Sequence, residues 1–284
     1  MTKLKTINWQ RNLPKILGWT VVLPLLLVTW EVRAHQLAQP WILPTFSSVA
    51  RILLHPLRDH FQQGNLAQSL LISLLRVTIG FSVAGFCGIA LGILMGASRI
   101  LRGLFEPLVE LLRPLCPIAW IPFAIAIFKL NTLPQLFGIR YSNTIFDQVQ
   151  LGMLFVLFWG AFFPILVNTI DGVSGVRRNY LDLAKTLGAN PYQTFIHVYL
   201  PAAMPSILTG LRQGIGLSWF VIIAAEMFPG ADSGIGYFLM YASDQSAMDI
   251  VLASMIVIAT IGASLNGLIL FSTRKLVRWH GKEV

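Results

Sequence analysis

The stretch Leu70–Met95 reads LLISLLRVTIGFSVAGFCGIALGILM, and Arg76 is its only charged residue. A helix needs about 20 mainly apolar residues to cross the hydrocarbon core of a bilayer. This stretch is long enough and apolar enough to do so, and it therefore predicts a transmembrane helix.

Five other runs of the chain share this apolar character. They are Leu17–Trp30, Leu115–Phe128, Leu151–Ile170, Ile207–Phe228 and Ile250–Ser272. Leu115–Phe128 is short for a crossing unless Leu104–Arg113 extends it. The chain is 55% hydrophobic and 12% charged, whereas an average soluble domain has about 25% charged residues. We therefore predict an all-α, polytopic membrane protein with about six transmembrane helices.

Lysine and arginine lie mainly on one side of these spans. With both termini on the inner side, 14 of the 21 basic residues face inward and 5 face outward. Cytoplasmic loops of membrane proteins carry such an excess. We therefore predict a cytoplasmic tail over 1–16, a transmembrane domain over 17–272 and a basic cytoplasmic tail over 273–284. This placement explains the net charge of +9 without a nucleic-acid partner, for which the chain has no recognition motif.

Three segments outside the spans are long enough to carry structure. Ser47 and Ser48 are suitable N-cap residues, and an outward-side helix is predicted over about 47–60. The outward segment 131–150 is polar, and the sequence assigns it no structure or role. On the inner side, a cytoplasmic loop is predicted over about 172–205.

Small residues recur along one face of the second span. Gly88, Gly92 and Gly96 follow each other at intervals of four, which lets another helix approach closely. Such a contact has two interpretations. The helix either slides against its neighbour or packs tightly against it without moving.

Prolines interrupt the third span. They are Pro107, Pro114, Pro117 and Pro122. Each removes a backbone donor, and the freed carbonyls are tolerated in a membrane where protein or a watery cavity covers them. We therefore predict that this segment, with Trp120, lines a passage, although a kinked packing helix fits the same pattern.

Two charges lie within the predicted spans near their outward ends. Arg76 lies about two turns into the second span, and counting along the fifth span places Glu226 at a similar depth. Intramembrane charges are costly and mark functional candidates. We predict that Arg76, with or without Glu226, borders the outer mouth of a passage and attracts an anion. The alternative is a buried structural salt bridge.

The inner loop has signals for two short helices. The first, Leu181–Leu187, is predicted to close with Gly188 in the left-handed conformation. Asn190 is the predicted N-cap of the second, Tyr192–Tyr199, which is predicted to end near Pro201. The result is a helix-turn-helix on the cytoplasmic side, although an ordinary loop of amphipathic helices fits the same residues.

This loop resembles the EAA loop of permease subunits of ATP-binding-cassette (ABC) importers. The matching positions are Asp182, Leu183, Ala184, Gly188, Val198, Leu200 and Pro201. Asp182 stands where Glu is typical and Leu183 where Ala is typical. The resemblance implies that the loop docks on an ATPase subunit.

The resemblance extends roughly from Pro44 to Arg274. It includes SLLRVTIG at Ser73–Gly80, RPLCPIAWIP at Arg113–Pro122 and GLRQGIGLSWFVIIAAEM at Gly210–Met227. These segments are similar to the branch that imports nitrate, sulfonates, taurine and bicarbonate. The resemblance implies a type I ABC importer permease fold in the plasma (inner) membrane of a bacterium, with small-anion uptake by alternating access.

The same resemblance implies the partners. Two ABC ATPase subunits would bind ATP and Mg, and this chain would bind no cofactor. A second permease, most simply another copy of this chain, would complete the passage, and a periplasmic or lipid-anchored binding protein would deliver the anion. Membrane lipid would surround the pair.

Other functions find less support in the residues. The chain has no G-x-x-x-x-G-K-[ST] phosphate loop, and we expect it not to be an enzyme. An ion-coupled secondary transporter or channel stays open as the alternative, although such proteins usually keep ionisable residues at mid-membrane. The histidines lack metal-ligand spacing, so no metal site is predicted. Cys87 and Cys116 are predicted to be small core residues.

Overall fold

The computed structural model describes residues 21–59, 64–139 and 144–276, and these residues form helices and turns with no β-strand. In chain order the helices are α1 (Leu23–Leu37), α2 (Phe46–Leu54), α3 (Leu66–Ala97), α4 (Arg99–Leu112), α5 (Ile121–Phe128), α6 (Leu151–Ser174), α7 (Arg178–Thr186), α8 (Pro191–Thr194), α9 (Leu200–Glu226), α10 (Ile235–Asp244) and α11 (Met248–Leu276). Tighter 3-10 turns occupy Pro117–Trp120, Leu133–Phe137 and Ile145–Gln148, and a wider π turn occupies Phe195–Tyr199.

Four of the described helices are long and apolar enough to cross a membrane: α3, α6, α11 and α9 with its lead-in from Pro191. A fifth crossing is possible if α4 and the segment Pro117–Phe128 form one span. The prediction of an all-α polytopic membrane protein is therefore confirmed. The first predicted span, Leu17–Trp30, begins outside the described residues, and its residues 23–30 belong to the 15-residue helix α1.

Helices α3 and α6 run parallel and pack through the predicted glycines. A Cβ atom added at Gly92 would lie 2.6 Å from the Cβ atom of Thr169, and one added at Gly96 would lie 2.7 Å from that of Val173. Real Cβ atoms do not approach so closely, so these positions have room for glycine alone. The stripe of small residues therefore sets the distance between the two helix axes.

Helix α9 packs antiparallel to α6 through glycines of its own. A Cβ atom added at Gly210 would lie 3.0 Å from the carbonyl oxygen of Pro164. A Cβ atom added at Gly214 would lie 3.0 Å from the Ile165 side chain. Helix α11 then packs against α9, where the indole N–H of Trp219 donates to the carbonyl oxygen of Ile258 at 3.0 Å. The core of the bundle is thus α3, α6 and α9.

The third predicted span is broken. Helix α4 meets the helical segment Pro117–Phe128 at an angle of 88°, so Leu104–Arg113 does not extend Leu115–Phe128 in a straight line. Pro114 and Pro117 bracket the bend, because neither supplies the N–H that would continue a helix across it.

The end of the bundle where α3 and α6 begin and α9 ends, called here the far end, carries two short helices. Helix α2 is capped by Thr45, whose hydroxyl accepts from the Ser48 N–H at 3.3 Å, instead of the predicted serines. It ends at Leu54, earlier than predicted, because His55 precedes Pro56 and leaves the helical conformation. Helix α10 is absent from the sequence prediction.

Glu31 also caps α2 from a neighbouring helix. Its carboxylate accepts hydrogen bonds from the Ser47 hydroxyl at 2.9 Å and the Ser47 N–H at 3.3 Å. Desolvation raises the pKa of Glu31, but hydrogen bonds from Ser47 and Phe46 and the charge of His35 outweigh it and lower the pKa. At pH values above the ordinary pKa of a glutamate, the ionised Glu31 carboxylate stabilises the start of α2. This stabilisation is lost as the pH falls through the lowered pKa of Glu31.

Candidate functional site

The inner loop forms a hairpin of two short helices. Gly188 adopts φ +74°, and its N–H donates to the carbonyl oxygen of Lys185 at 2.9 Å. The next N–H, of Ala189, donates back to Ala184 at 3.0 Å. These paired bonds are a Schellman motif, which requires a left-handed residue and so favours glycine. The predicted closure of the first helix by Gly188 is confirmed.

The second helix of the hairpin begins where Asn190 predicts. The side-chain oxygen of Asn190 accepts from the Gln193 N–H at 2.8 Å, and the Gln193 side chain accepts in return from the Asn190 N–H at 3.0 Å. This reciprocal capping box satisfies two N–H groups that the helix cannot pair itself. The turn of the hairpin is therefore held rigidly by its own residues.

The hairpin does not end at Pro201 as predicted. A π turn over Phe195–Tyr199 joins α8 to α9, and the Leu200 N–H donates to the carbonyl oxygen of Phe195, five residues back. The wider turn makes room for the Pro201 ring, which would clash with a carbonyl oxygen in a regular helix. Residues 191–226 therefore form one continuous helical path.

The hairpin residues singled out from the sequence fall into two groups. Asp182 and Leu183 are exposed on α7, with Leu183 58% exposed. Leu183 also lines a groove of about 680 Å³ between the hairpin and the end of α6, together with three others, Ala184, Val198 and Pro201. Leu200 packs against the buried cluster of Val173, Ala203 and Ile207. The hairpin thus presents an apolar surface at the end of the bundle opposite the far end.

At the far end, Arg76 and Glu226 meet. Their side chains are fully buried, and Arg76 Nη1 donates to Glu226 Oε1 at 2.8 Å. The Ser73 hydroxyl lies 2.8 Å from both carboxylate oxygens of Glu226, and the Gly236 N–H donates to Oε2 at 3.0 Å. Counting along the spans predicted that Arg76 and Glu226 lie at a similar depth, and in the structure they are in direct contact.

The guanidinium of Arg76 uses all of its donors within the protein. Nη1 also donates to the carbonyl oxygen of Ser233 at 2.8 Å, Nη2 donates to the Ser233 hydroxyl at 2.7 Å, and Nε and Nη2 both donate to the carbonyl oxygen of Gln148. The loop 131–150, without assignment in the sequence, therefore helps to hold Arg76. With five N–H groups occupied, the geometry favours the structural salt bridge over attraction of an anion.

Trp120 belongs to an aromatic cluster on the broken span. Its ring stacks on Trp159 of α6, with centroids 5.4 Å apart and planes inclined by 10°, and meets Phe123 and Phe155 edge-on. Stacked and edge-to-face pairs each add to the packing energy. Trp120 therefore fixes the second half of the broken span to α6.

A cavity of about 340 Å³, called here the break cavity, lies where the bend between α4 and α5 faces α6 and α9. Arg113 and Cys116 line it from the bend, Trp159 and Asn168 from α6, and Gln213 from α9. Trp120 is not among its lining residues, although its stacking partner is. Cys116, predicted to be in the core, is exposed because the bend turns it outward.

Sequence reasoning placed Arg113 in an inner loop and missed its place on the cavity. The signal for it was the pair of prolines after Arg113, since an interrupted helix within a membrane borders protein or water. Arg212 donates from Nε to the side-chain oxygen of Asn266 at 2.7 Å and ties α9 to α11.

Comparison with known proteins gives consistent matches over most of the chain. A putative ABC transporter permease of Methanocaldococcus jannaschii is 41% identical over 90% of this chain and 89% of its own length. The bicarbonate transport system permease CmpB of Synechococcus elongatus is 34% identical over 95% and 93%. The taurine transport system permease TauC of Escherichia coli is 33% identical over 91% and 87%.

The fold also matches a solved structure. A chain in the crystal structure of a bacterial alginate ABC transporter, in complex with an alginate-bound periplasmic protein, superposes with a TM-score of 0.58. The match covers 95% of this chain and 98% of that one at 14% identity. The model of the binding-protein-dependent transport system inner membrane components matches residues 88–279. The chain is therefore a member of the family of binding-protein-dependent transport system inner membrane components.

Proposed function

We propose that this chain is the permease subunit of an ATP-driven importer for a small anion. Relatives named for transport of bicarbonate and of taurine, a zwitterion with a sulfonate group, support a substrate that carries an oxyanion. The observation that carries the proposal is the rigid hairpin with an apolar, exposed Leu183, because such a surface suits docking of another protein and not exposure to water. The chain itself would perform no catalysis.

The hairpin end of the bundle would face the cytoplasm, with both termini on that side of a bacterial inner membrane. The excess of inward Lys and Arg supports this orientation. ATPase subunits would hold ATP and Mg, close on nucleotide binding and move the hairpins of two permease copies. The passage between the copies would then open toward a binding protein on the far side.

The test joins copurification to transport. Tagged chain is purified from its own host, checked for an associated ATP-hydrolysing subunit, and reconstituted in liposomes with and without ATP inside. Uptake of labelled bicarbonate, nitrate and taurine is measured with the cognate binding protein outside. We expect uptake that requires ATP.

A matched pair of variants tests the role of the hairpin. Leu183→Asp places a charge on the hairpin surface, and Leu57→Asp places one at a similarly exposed far-end position. We expect Leu183→Asp to lose the ATPase subunit and uptake, and Leu57→Asp to keep both. Uptake by a chain without any ATPase, or normal uptake by Leu183→Asp, would contradict the proposal.

A further inference from the structure

The break cavity carries an unpaired positive charge. Among the described residues that line it, Arg113 alone is charged. The ion pairs formed by the described residues use Arg76 and Arg102 but not Arg113. Arg113 is exposed where it borders the cavity, and a cation without a carboxylate partner creates a positive potential at the cavity mouth.

Neutral donors lie around this charge. Asn168 Nδ2 donates to Gln213 Oε1 at 3.1 Å and to the carbonyl oxygen of Pro164 at 2.8 Å, which orients the Gln213 amide. The Gln213 side chain is exposed, and its Nε2 N–H groups donate to no described residue. The buried indole N–H of Trp159 likewise donates to none. The cavity therefore combines one charge with N–H donors that lack partners, which is the complement of an oxyanion.

One side of helix α4 is polar and leads to the cavity. Helix α4 has a strongly amphipathic pattern and no buried residue. Its charged residues recur at intervals of three and four, which places them on one side of the helix, and Arg113 follows at the end that reaches the cavity. They are Arg99, Arg102, Glu106 and Glu110. Charged side chains do not face lipid tails within a bilayer, so this side of α4 borders water or protein.

We propose that Arg113 and Gln213, oriented by Asn168, form a transit site for a small monovalent oxyanion in the hairpin half of the passage. Asn168 lies six residues before the end of α6, about 9 Å along the helix at 1.5 Å per residue. The site binds weakly, because an ion in transit must leave as readily as it enters. The inference rests on the proposed function, which it deepens by locating anion selectivity in this chain.

The native Cys116 reports on this site, since it is exposed and lines the same cavity. In a Cys87→Ala background, the full chain in membrane vesicles is reacted with an anionic and a cationic methanethiosulfonate reagent. Because both reagents attack the same thiolate, the ratio of their rates isolates the charge of the cavity. The reading requires no transport, so it fails or succeeds independently of ATP-driven uptake.

Arg113→Gln is compared with Arg99→Gln, which removes the same charge from the other end of α4. We expect the ratio of anionic to cationic rates to fall on the order of tenfold in Arg113→Gln, from Coulomb's law at a few ångströms in a partly watery site. It should stay within about twofold in Arg99→Gln, roughly 20 Å away by helical rise, and in Arg113→Lys. Sodium nitrate, bicarbonate or taurine should slow the anionic reagent in the Cys87→Ala chain more than in Arg113→Gln or Gln213→Ala.

Three results would overturn the proposal. In the first, the rate ratio is unchanged by Arg113→Gln, which would mean that the charge of Arg113 does not reach the cavity and that the residue acts only as the C-cap of α4. In the second, the charge is present but none of the three solutes protects Cys116 in an Arg113-dependent manner. In the third, Cys116 reacts with neither reagent, which means that the cavity is closed to water.

Discussion

Arg76 and Arg113 show how the same side chain takes two roles in one membrane protein. Arg76 is fully buried and donates to Glu226, Ser233 and the backbone of Gln148, so its charge is balanced. Arg113 borders a cavity and has no carboxylate partner among the described residues. The presence of hydrogen-bond and ion-pair partners, and not burial alone, therefore distinguishes a structural arginine from one that is available to an anion.

Removal of the Arg76 charge should destabilise the protein. Arg76→Gln leaves the Glu226 carboxylate buried without its cation, which costs about 3–5 kcal/mol when one member of a buried pair is removed. The double variant Arg76→Gln/Glu226→Gln should regain a large part of this loss. Thermal inactivation of the detergent-purified chain measures both, and Arg212→Gln, an exposed arginine with a hydrogen bond to Asn266, is the control.

Two outcomes would change this interpretation. If the double variant is as unstable as Arg76→Gln alone, the two charges do not form an energetic pair. If Arg76→Gln keeps its stability and loses uptake, the anion role predicted from the sequence is correct and the salt bridge is secondary.

At the scale of helices, the close contact of α3 with α6 depends on glycine. Gly88, Gly92 and Gly96 face Ile165, Thr169 and Val173 in turn, one helical turn apart on both helices. Helices without a hydrophobic force between them in lipid associate through such packing. The contact therefore limits how far α6, and with it the hairpin, can be displaced relative to α3.

Substitution within this stripe should destabilise the helix pair. Gly92→Ala places a Cβ atom 2.6 Å from Thr169 Cβ and 3.0 Å from the carbonyl oxygen of Leu166, and overpacking of this kind costs about 1–3 kcal/mol. Gly103→Ala on α4, where nothing lies within 4 Å, is the matched control and should be neutral or stabilising. Thermal inactivation of the two variants gives the comparison, and equal stability would mean that α3 and α6 separate freely.

The sequence predicts some elements better than others for physical reasons. Long apolar runs such as Leu70–Met95 predict spans directly, and Gly188 and Asn190 specify their turns because the backbone there needs those residues. The 88° bend and the cavity beside it depend on which surfaces α4 and α5 bury, which a local pattern does not contain. Helix α10 is short and lacks a capping side chain, so it gives no local signal.

On the scale of the whole molecule, the three core helices have fixed directions. Helices α3 and α6 run from the far end to the hairpin end, and α9 returns. The Arg76 network links the elements at the far end, and the hairpin end carries the groove lined by Leu183. One end is therefore held together by its own hydrogen bonds, and the other exposes a groove on its surface.

Orientation in the membrane can be tested with single cysteines. In a Cys87→Ala/Cys116→Ala background, Tyr192→Cys on the hairpin and Leu57→Cys at the far end both replace exposed residues, 71% and 73% accessible. An impermeant maleimide should label Leu57→Cys in intact spheroplasts, and Tyr192→Cys only in inverted vesicles stripped of peripheral proteins. Labelling of Tyr192→Cys in intact spheroplasts would reverse the orientation and remove the hairpin from the cytoplasm.

The π turn ahead of Pro201 has a mechanical consequence. From Tyr192 to Glu226 the backbone stays helical, a rod of roughly 50 Å at 1.5 Å per residue. One tip of this rod belongs to the hairpin and the other is clamped to Arg76. An axial displacement of the first tip would therefore reach the ion pair through the backbone itself, with no relay of side chains.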